Sequence, residues 1–170
     1  KTERFPVNRI FCVGRNYHAH AAEMGKTVDK SKDRPFYFTK SPSALEPSGA
    51  TIPYPPETKS FHHEMELVVA LQKGGFRVKA ADAHDLIYGY ATGLDMTRRD
   101  LQLASREKGL PWDTAKDVEH SAVCTEIVAM PGVVLDKGAI TMSINGEVKQ
   151  NSTIDKLIWN IREIIADLST

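Results

Sequence analysis

The sequence predicts an α+β fold rich in short strands, and three observations lead to it. Apolar runs of strand length recur between turn residues at 9–13, 36–39, 64–71, 86–94 and 140–149. Helical spacing is confined to brief stretches, the clearest at 157–168. Asn145-Gly146 separates two strand-like segments, which is a strong hairpin signal.

Taken in order, residues 9–13 (RIFCV) read as a strand that leads into GRNYHAHAAEMG, where Asn16 is placed to cap a short helix and Gly25 to end it. KTVDKSKDRP is a charged surface loop. Residues 36–39 form a second strand, followed by a meander with too many prolines for a helix or a central strand. Residues 64–71 are a strand closed by a Lys-Gly-Gly turn at 73–75. A short helix opens at 80–85, and a second apolar strand covers 86–94. Helical spacing over 97–108 stops at Gly109 and Pro111, and the tail at 157–168 forms the last helix.

The length, 170 residues, suits one domain (1–170) with a core of its own. With 41% hydrophobic and 26% charged residues the chain has a globular composition. Lys+Arg and Asp+Glu are both 22, so charge supplies no case for nucleic acid or an anionic membrane as partner. No run approaches the ~18 apolar residues of a membrane helix. Cys12 and Cys124 stand alone with no CxxC pair, which argues against a disulfide framework or zinc ribbon and fits a reducing, cytoplasmic setting.

Two apparent motifs fail. Met24-Gly25-Lys26-Thr27 ends like a phosphate-binding loop, but His20 stands where its first glycine belongs. His63-Glu64 begins like a zinc-protease helix, but Leu67 replaces the second histidine.

Other groupings carry more chemistry. In a strand, Glu64 and Glu66 share a face with α-carbons roughly 6.5–7 Å apart, while Met65, Leu67, Val69 and Leu71 fill the other. A polar-out strand explains this pair without function. However, the Glu face continues as Val68 and Ala70, and two carboxylates in such surroundings repel unless a cation joins them. A hard divalent ion with oxygen ligands would do so. Asp95 closes the second apolar strand and suits either a third ligand or a helix N-cap. His20 and Glu23, three apart in a helix, form either a surface pair or an oriented general base. Lys116 by itself reads as one solvated lysine among many.

VGRNYHAHAAEMG, FTKSPSAL, HHEMELVVAL, GYATGLDMTRRDLQ, KGLPWDTAK and SINGEVKQ occur in this order. The series resembles the fumarylacetoacetate hydrolase family, and within it the small fumarylpyruvate and acylpyruvate hydrolases. The resemblance implies a mixed β-roll with short peripheral helices, usually dimeric. It implies Mg²⁺ (alternatively Mn²⁺ or Ca²⁺) on Glu64, Glu66 and Asp95, water activation by His20 and Glu23, and a catalytic Lys116. Arg99 and Gln102 are implied as contacts for a small 2,4-dioxo acid substrate. Family members continue with a Gly-Asp strand and a Gly-Thr-Pro-x-Gly-Val segment, so the fold is expected to extend past Thr170.

The activity implied is cleavage of a carbon–carbon bond, with fumarylpyruvate giving fumarate and pyruvate. Acetylpyruvate hydrolysis and oxaloacetate decarboxylation use the same enolate chemistry and stand as alternatives. A catalytically silent metal-binding domain is the rival from another class.

Overall fold

A computed structural model of the chain describes residues 3–18 and 27–170. In chain order it contains β1 (Ile10–Gly14), β2 (Phe36–Lys40), β3 (Leu45–Pro47), β4 (Phe61–His62), β5 (Met65–Leu71), β6 (Ile87–Asp95) and β7 (Thr97–Arg98). Helices α1 (Arg99–Glu107) and α2 (Asp113–Lys116) follow, then β8 (Ala122–Cys124), β9 (Val128–Ala129), β10 (Ala139–Ile144), β11 (Glu147–Thr153) and α3 (Ile161–Leu168). Turns of 3-10 helix occupy Pro42–Ala44, Ala80–Leu86 and Ile154–Lys156. The fold is thus strand-rich with short helices, as the pattern of apolar runs predicts. No helix among the described residues is long and apolar enough to cross a membrane.

The chain divides into two compact units. The first gathers Lys1–Cys12, Tyr37–Glu64 and Gly93–Thr125. In it β3 runs parallel to β8, with Leu45 opposite Ala122 and Pro47 opposite Cys124. The last residues of β6 pair antiparallel with β8, setting Asp95 opposite Ala122. β4 pairs with β7, His62 facing Thr97. This pairing explains why α1 starts at Arg99 rather than Thr97: residues 97 and 98 are held extended by a partner strand, which outweighs their local helical pattern. Asp95 caps no helix; the cap position belongs to Arg98, whose side chain makes no capping bond.

The second unit gathers Val13–Phe36, Met65–Thr92 and Glu126–Thr170. Its core is Ala83, Leu86, Ile87, Tyr90, Ile161 and Ile165, with Leu67 and Val69 of β5 packed against them. The apolar face expected for that strand is therefore the core face, although Leu71 at its end is exposed. β9 crosses β6 so closely that a Cβ on Gly89 would lie 2.2 Å from the Val128 carbonyl oxygen, so only glycine fits there. The β10–β11 hairpin turns at Asn145 (φ 51°) and Gly146 (φ 84°), the left-handed pair that a two-residue loop demands.

Two expectations are corrected in this unit. The tail helix begins at Ile161, not at 157. Leu157 bridges Tyr17, and the Ile158 amide donates to the Asn16 carbonyl at 2.8 Å, so long-range bonds hold this segment extended. Asn160 then caps the helix in a reciprocal box with Glu163. Asn16, expected as a helix cap, instead clasps Trp159: its Nδ2 donates to the Trp159 carbonyl at 2.9 Å and its Oδ1 accepts the Trp159 amide at 2.8 Å. The helix expected between Asn16 and Gly25 falls mostly outside the described residues.

Candidate active site

The first unit concentrates charge where its sheet ends. β6 is apolar for most of its length, so it is buried, and its terminal Asp95 is carried inside with it at 7% exposure. The Asp95 amide donates to the Glu64 carbonyl at 2.8 Å, which ties the two acidic residues together through the backbone. Glu64 is mostly buried and lies just before β5 rather than inside it.

Lys116 stands between the two carboxylates. Its Nζ donates to Glu64 Oε2 and to Asp95 Oδ2, both at 2.6 Å. The same ammonium lies 4.7 Å from the centre of the Phe38 ring, which stacks in turn toward Trp112. The sequence places Lys116 at the end of a single helical turn, and that turn is pinned by its neighbours. The Arg98 guanidinium donates to the Thr114 carbonyl, and Asp117 accepts from the Ser41 amide and hydroxyl at 2.8 and 2.6 Å. At 2% exposure Lys116 is a buried cation, not a solvated one.

Arg99 and Gln102 lie one turn apart on α1. Arg99 donates to Glu64 Oε1 and to Gln102 Oε1, each at 2.5 Å, while its Nε approaches His62 Nδ1 at 3.4 Å. Each oxygen of Glu64 thus faces its own cation. Burial, followed by the Arg99 charge, holds the His62 ring below the usual histidine range. Asp100 faces away and anchors the preceding loop through Thr58 and Lys59.

Lys40, at the end of β2, has no role in the sequence reading. It is 3% exposed, and its Nζ lies 3.0 Å from Asp95 Oδ1. The signal was present: FYFTKSP ends an apolar strand on a lysine, which must be paired if it is buried. Burial pushes the Asp95 carboxyl above the ordinary carboxylate range. Lys116 and Lys40 pull it back, and Glu64 adds to the rise.

The structure therefore brings together Glu64, Asp95, Lys116, Arg99 and Gln102. Glu66 belongs to the second unit, where it is exposed. With Asp155 it adds to the burial that pushes the Tyr17 hydroxyl up to about 12. His20 and Glu23 lie outside the described residues. Among those described, no three His, Cys, Asp or Glu side chains form a group that could hold a metal ion. Glu64 and Asp95 converge as a pair. All their donor atoms are carboxylate oxygens, the chemistry of a hard divalent cation. Asp95 Oδ1 is buried and accepts no hydrogen bond, so it keeps free lone pairs. Three cations, Lys40, Lys116 and Arg99, face these two anions, leaving an excess of positive charge suited to an anionic ligand.

Comparison with known proteins defines the class. The model of the fumarylacetoacetate (FAA) hydrolase C-terminal family matches residues 9–170, and the chain belongs to that family. A fumarylpyruvate hydrolase from a Ralstonia species is 65% identical over 147 residues, covering 86% of this chain and 77% of the relative. The mitochondrial oxaloacetate tautomerase FAHD1 of Mus musculus is 38% identical over 162 residues, covering 94% and 72%. The crystal structure of fumarylpyruvate hydrolase from Pseudomonas aeruginosa, in complex with Mn²⁺ and pyruvate, superposes with a TM-score of 0.91 at 42% identity. It covers 99% of this chain and 74% of that one.

Proposed function

We propose that the chain is a metal-dependent hydrolase that splits fumarylpyruvate into fumarate and pyruvate, a step in the breakdown of aromatic compounds. The carrying observation is the buried Glu64–Asp95 pair bridged by Lys116 within a surplus of cations. The 65% identical fumarylpyruvate hydrolase and the Mn²⁺ and pyruvate complex of the Pseudomonas protein support it.

Glu64 and Asp95 would hold the ion, and Glu66 joins them on the strength of the family's E-x-E motif. Mg²⁺ is the ion proposed, with Mn²⁺ or Ca²⁺ as substitutes. When bound, the ion supplies positive charge to the 2-keto acid end of the substrate. His20, turned by Glu23, draws a proton from water as its oxygen adds to the carbonyl beyond the methylene. The bond between that carbonyl carbon and the methylene then breaks, and its electron pair passes to the pyruvate fragment as an enolate, which is protonated to pyruvate. Lys116 offers its ammonium to the negative charge that develops on oxygen. Arg99, with Gln102 beside it, faces a substrate carboxylate. A homodimer and a cytoplasmic location complete this reading, resting respectively on the family resemblance and on a sequence with two cysteines and no CxxC pair.

The oxaloacetate tautomerases at lower identity favour a second reading, in which oxaloacetate passes through the same kind of enolate without attack by water. A substrate panel decides between them. Fumarylpyruvate, maleylpyruvate, acetylpyruvate and oxaloacetate are each supplied with Mg²⁺, Mn²⁺ or chelator. Metal-dependent release of pyruvate and fumarate is expected. Turnover of oxaloacetate alone would overturn the hydrolase, and no metal-dependent turnover would overturn both.

A further inference from the structure

Lys40 is built into the first unit in an unusual way. A lysine ammonium has three N–H donors and no acceptor. Here all three have partners other than the carboxylate beside them. Nζ donates to the Met96 carbonyl at 3.1 Å, to Ser121 Oγ at 3.0 Å and, in a very short contact, to the Lys116 carbonyl. Ser121, fully buried, also donates its own hydroxyl proton to that Lys116 carbonyl at 3.2 Å. Asp95 Oδ1 lies 3.0 Å from the same nitrogen yet receives no hydrogen bond. The ammonium thus lends Asp95 its charge but not its protons.

We propose that Lys40 is a positioning residue for the metal-binding carboxylate: saturated by two main-chain carbonyls and the Ser121 hydroxyl, it neutralises Asp95 while leaving the lone pairs of Oδ1 for a divalent cation. The inference rests on the reading of Glu64 and Asp95 as metal ligands. It also explains a second feature. By gripping the Lys116 carbonyl, Lys40 fixes the backbone from which the Lys116 side chain reaches both carboxylates. One buried ammonium therefore sets the position of an anionic ligand and of its neighbouring cation. A buried ion pair whose ammonium donated directly to Oδ1 would be at least as stable, but it would occupy the lone pairs that a metal needs.

This assignment predicts an effect from a residue that touches no carboxylate. In S121A one Lys40 N–H loses its acceptor and turns to the nearest free one, Asp95 Oδ1. The substitution removes a hydroxyl, alters no charge and creates little space. Binding of Mn²⁺, read from the electron paramagnetic resonance signal of the free ion, is expected to weaken about tenfold in S121A. In K40M it weakens about 10- to 100-fold, the range for residues that orient metal ligands. A merely structural Lys40 or Ser121 would lower the thermal midpoint and leave the Mn²⁺ dissociation constant at the wild-type value. That result in S121A overturns the proposal, and so does tighter Mn²⁺ binding in K40M, which would make Lys40 a simple electrostatic competitor. Should K40M fail to fold, S121A decides alone. Wild-type protein that binds no Mn²⁺ overturns the metal reading and this inference with it. Wild-type binding that S121A matches overturns the role of Lys40 only.

Discussion

At the scale of single residues, the site is a problem of buried charge. Glu64 and Asp95 remain inside because Arg99, Lys116 and Lys40 neutralise them at 2.5–3.0 Å. Breaking such a group by removing one partner costs more than the group contributes as a whole. K116M is therefore expected to lower stability by about 3 kcal/mol, measured by urea unfolding. It should also reduce kcat by at least about 100-fold, as loss of a charge-stabilising group does. D95N keeps the shape of the side chain and removes its charge, and titration calorimetry should show Mg²⁺ and Mn²⁺ binding weakened by at least about 100-fold. Wild-type affinity in that variant would remove Asp95 from the ligand set. Asp95 was conspicuous in the sequence as a carboxylate ending an apolar strand, but periodicity left both it and Glu64 open to a role without a metal, and only the ordered motifs suggested them as ligands. Lys40 gave only the hint of a lysine that ends an apolar strand, and Ser121 gave none, since their partners are distant groups that the chain brings up only on folding.

At the scale of elements, local signals decided some boundaries and tertiary bonds decided others. The Asn145-Gly146 turn was signalled strongly by the chain alone, because residues tolerant of positive φ close a two-residue hairpin. The start of α3 was not. Its helical period runs back to Leu157, but Asn16 holds Ile158 and Trp159 extended, and the break falls at the Asn160 cap. N160A should therefore cost about 1 kcal/mol, seen as a lower thermal midpoint with an unchanged circular dichroism spectrum. Glu163 completes that cap. Burial raises its carboxyl, but hydrogen bonds from Lys30 and the Asn160 amide outweigh it and hold the group below the usual 4.5. A carboxyl depressed on folding stabilises above its unfolded value and loses that contribution as pH falls through the folded one. The stability difference between wild type and E163Q should accordingly shrink on going from pH 6 to pH 3. A constant difference would show that Glu163 acts without its charge.

At the scale of the whole molecule, a ligand that binds only the folded protein raises its stability by mass action. Mn²⁺ at about 100 times its dissociation constant should stabilise the protein by about 2.7 kcal/mol, and chelator should reverse the gain. Scanning calorimetry with each checks this, and an unchanged midpoint would contradict a structured metal site. The sequence by itself determined that the chain is a strand-rich α+β protein, and its ordered motifs singled out Glu64, Asp95 and Lys116 as candidates for its chemistry. Periodicity, turn residues and ordered motifs are all properties of near neighbours. Only the tertiary structure decided that Lys116 is buried between two carboxylates, that Arg99 grips Glu64, and that Lys40 attends Asp95 without donating to it. Those contacts join residues 21 to 55 positions apart. Their sense depends on how many donors each cation has left once the backbone has taken its share, and that count exists only in the folded chain.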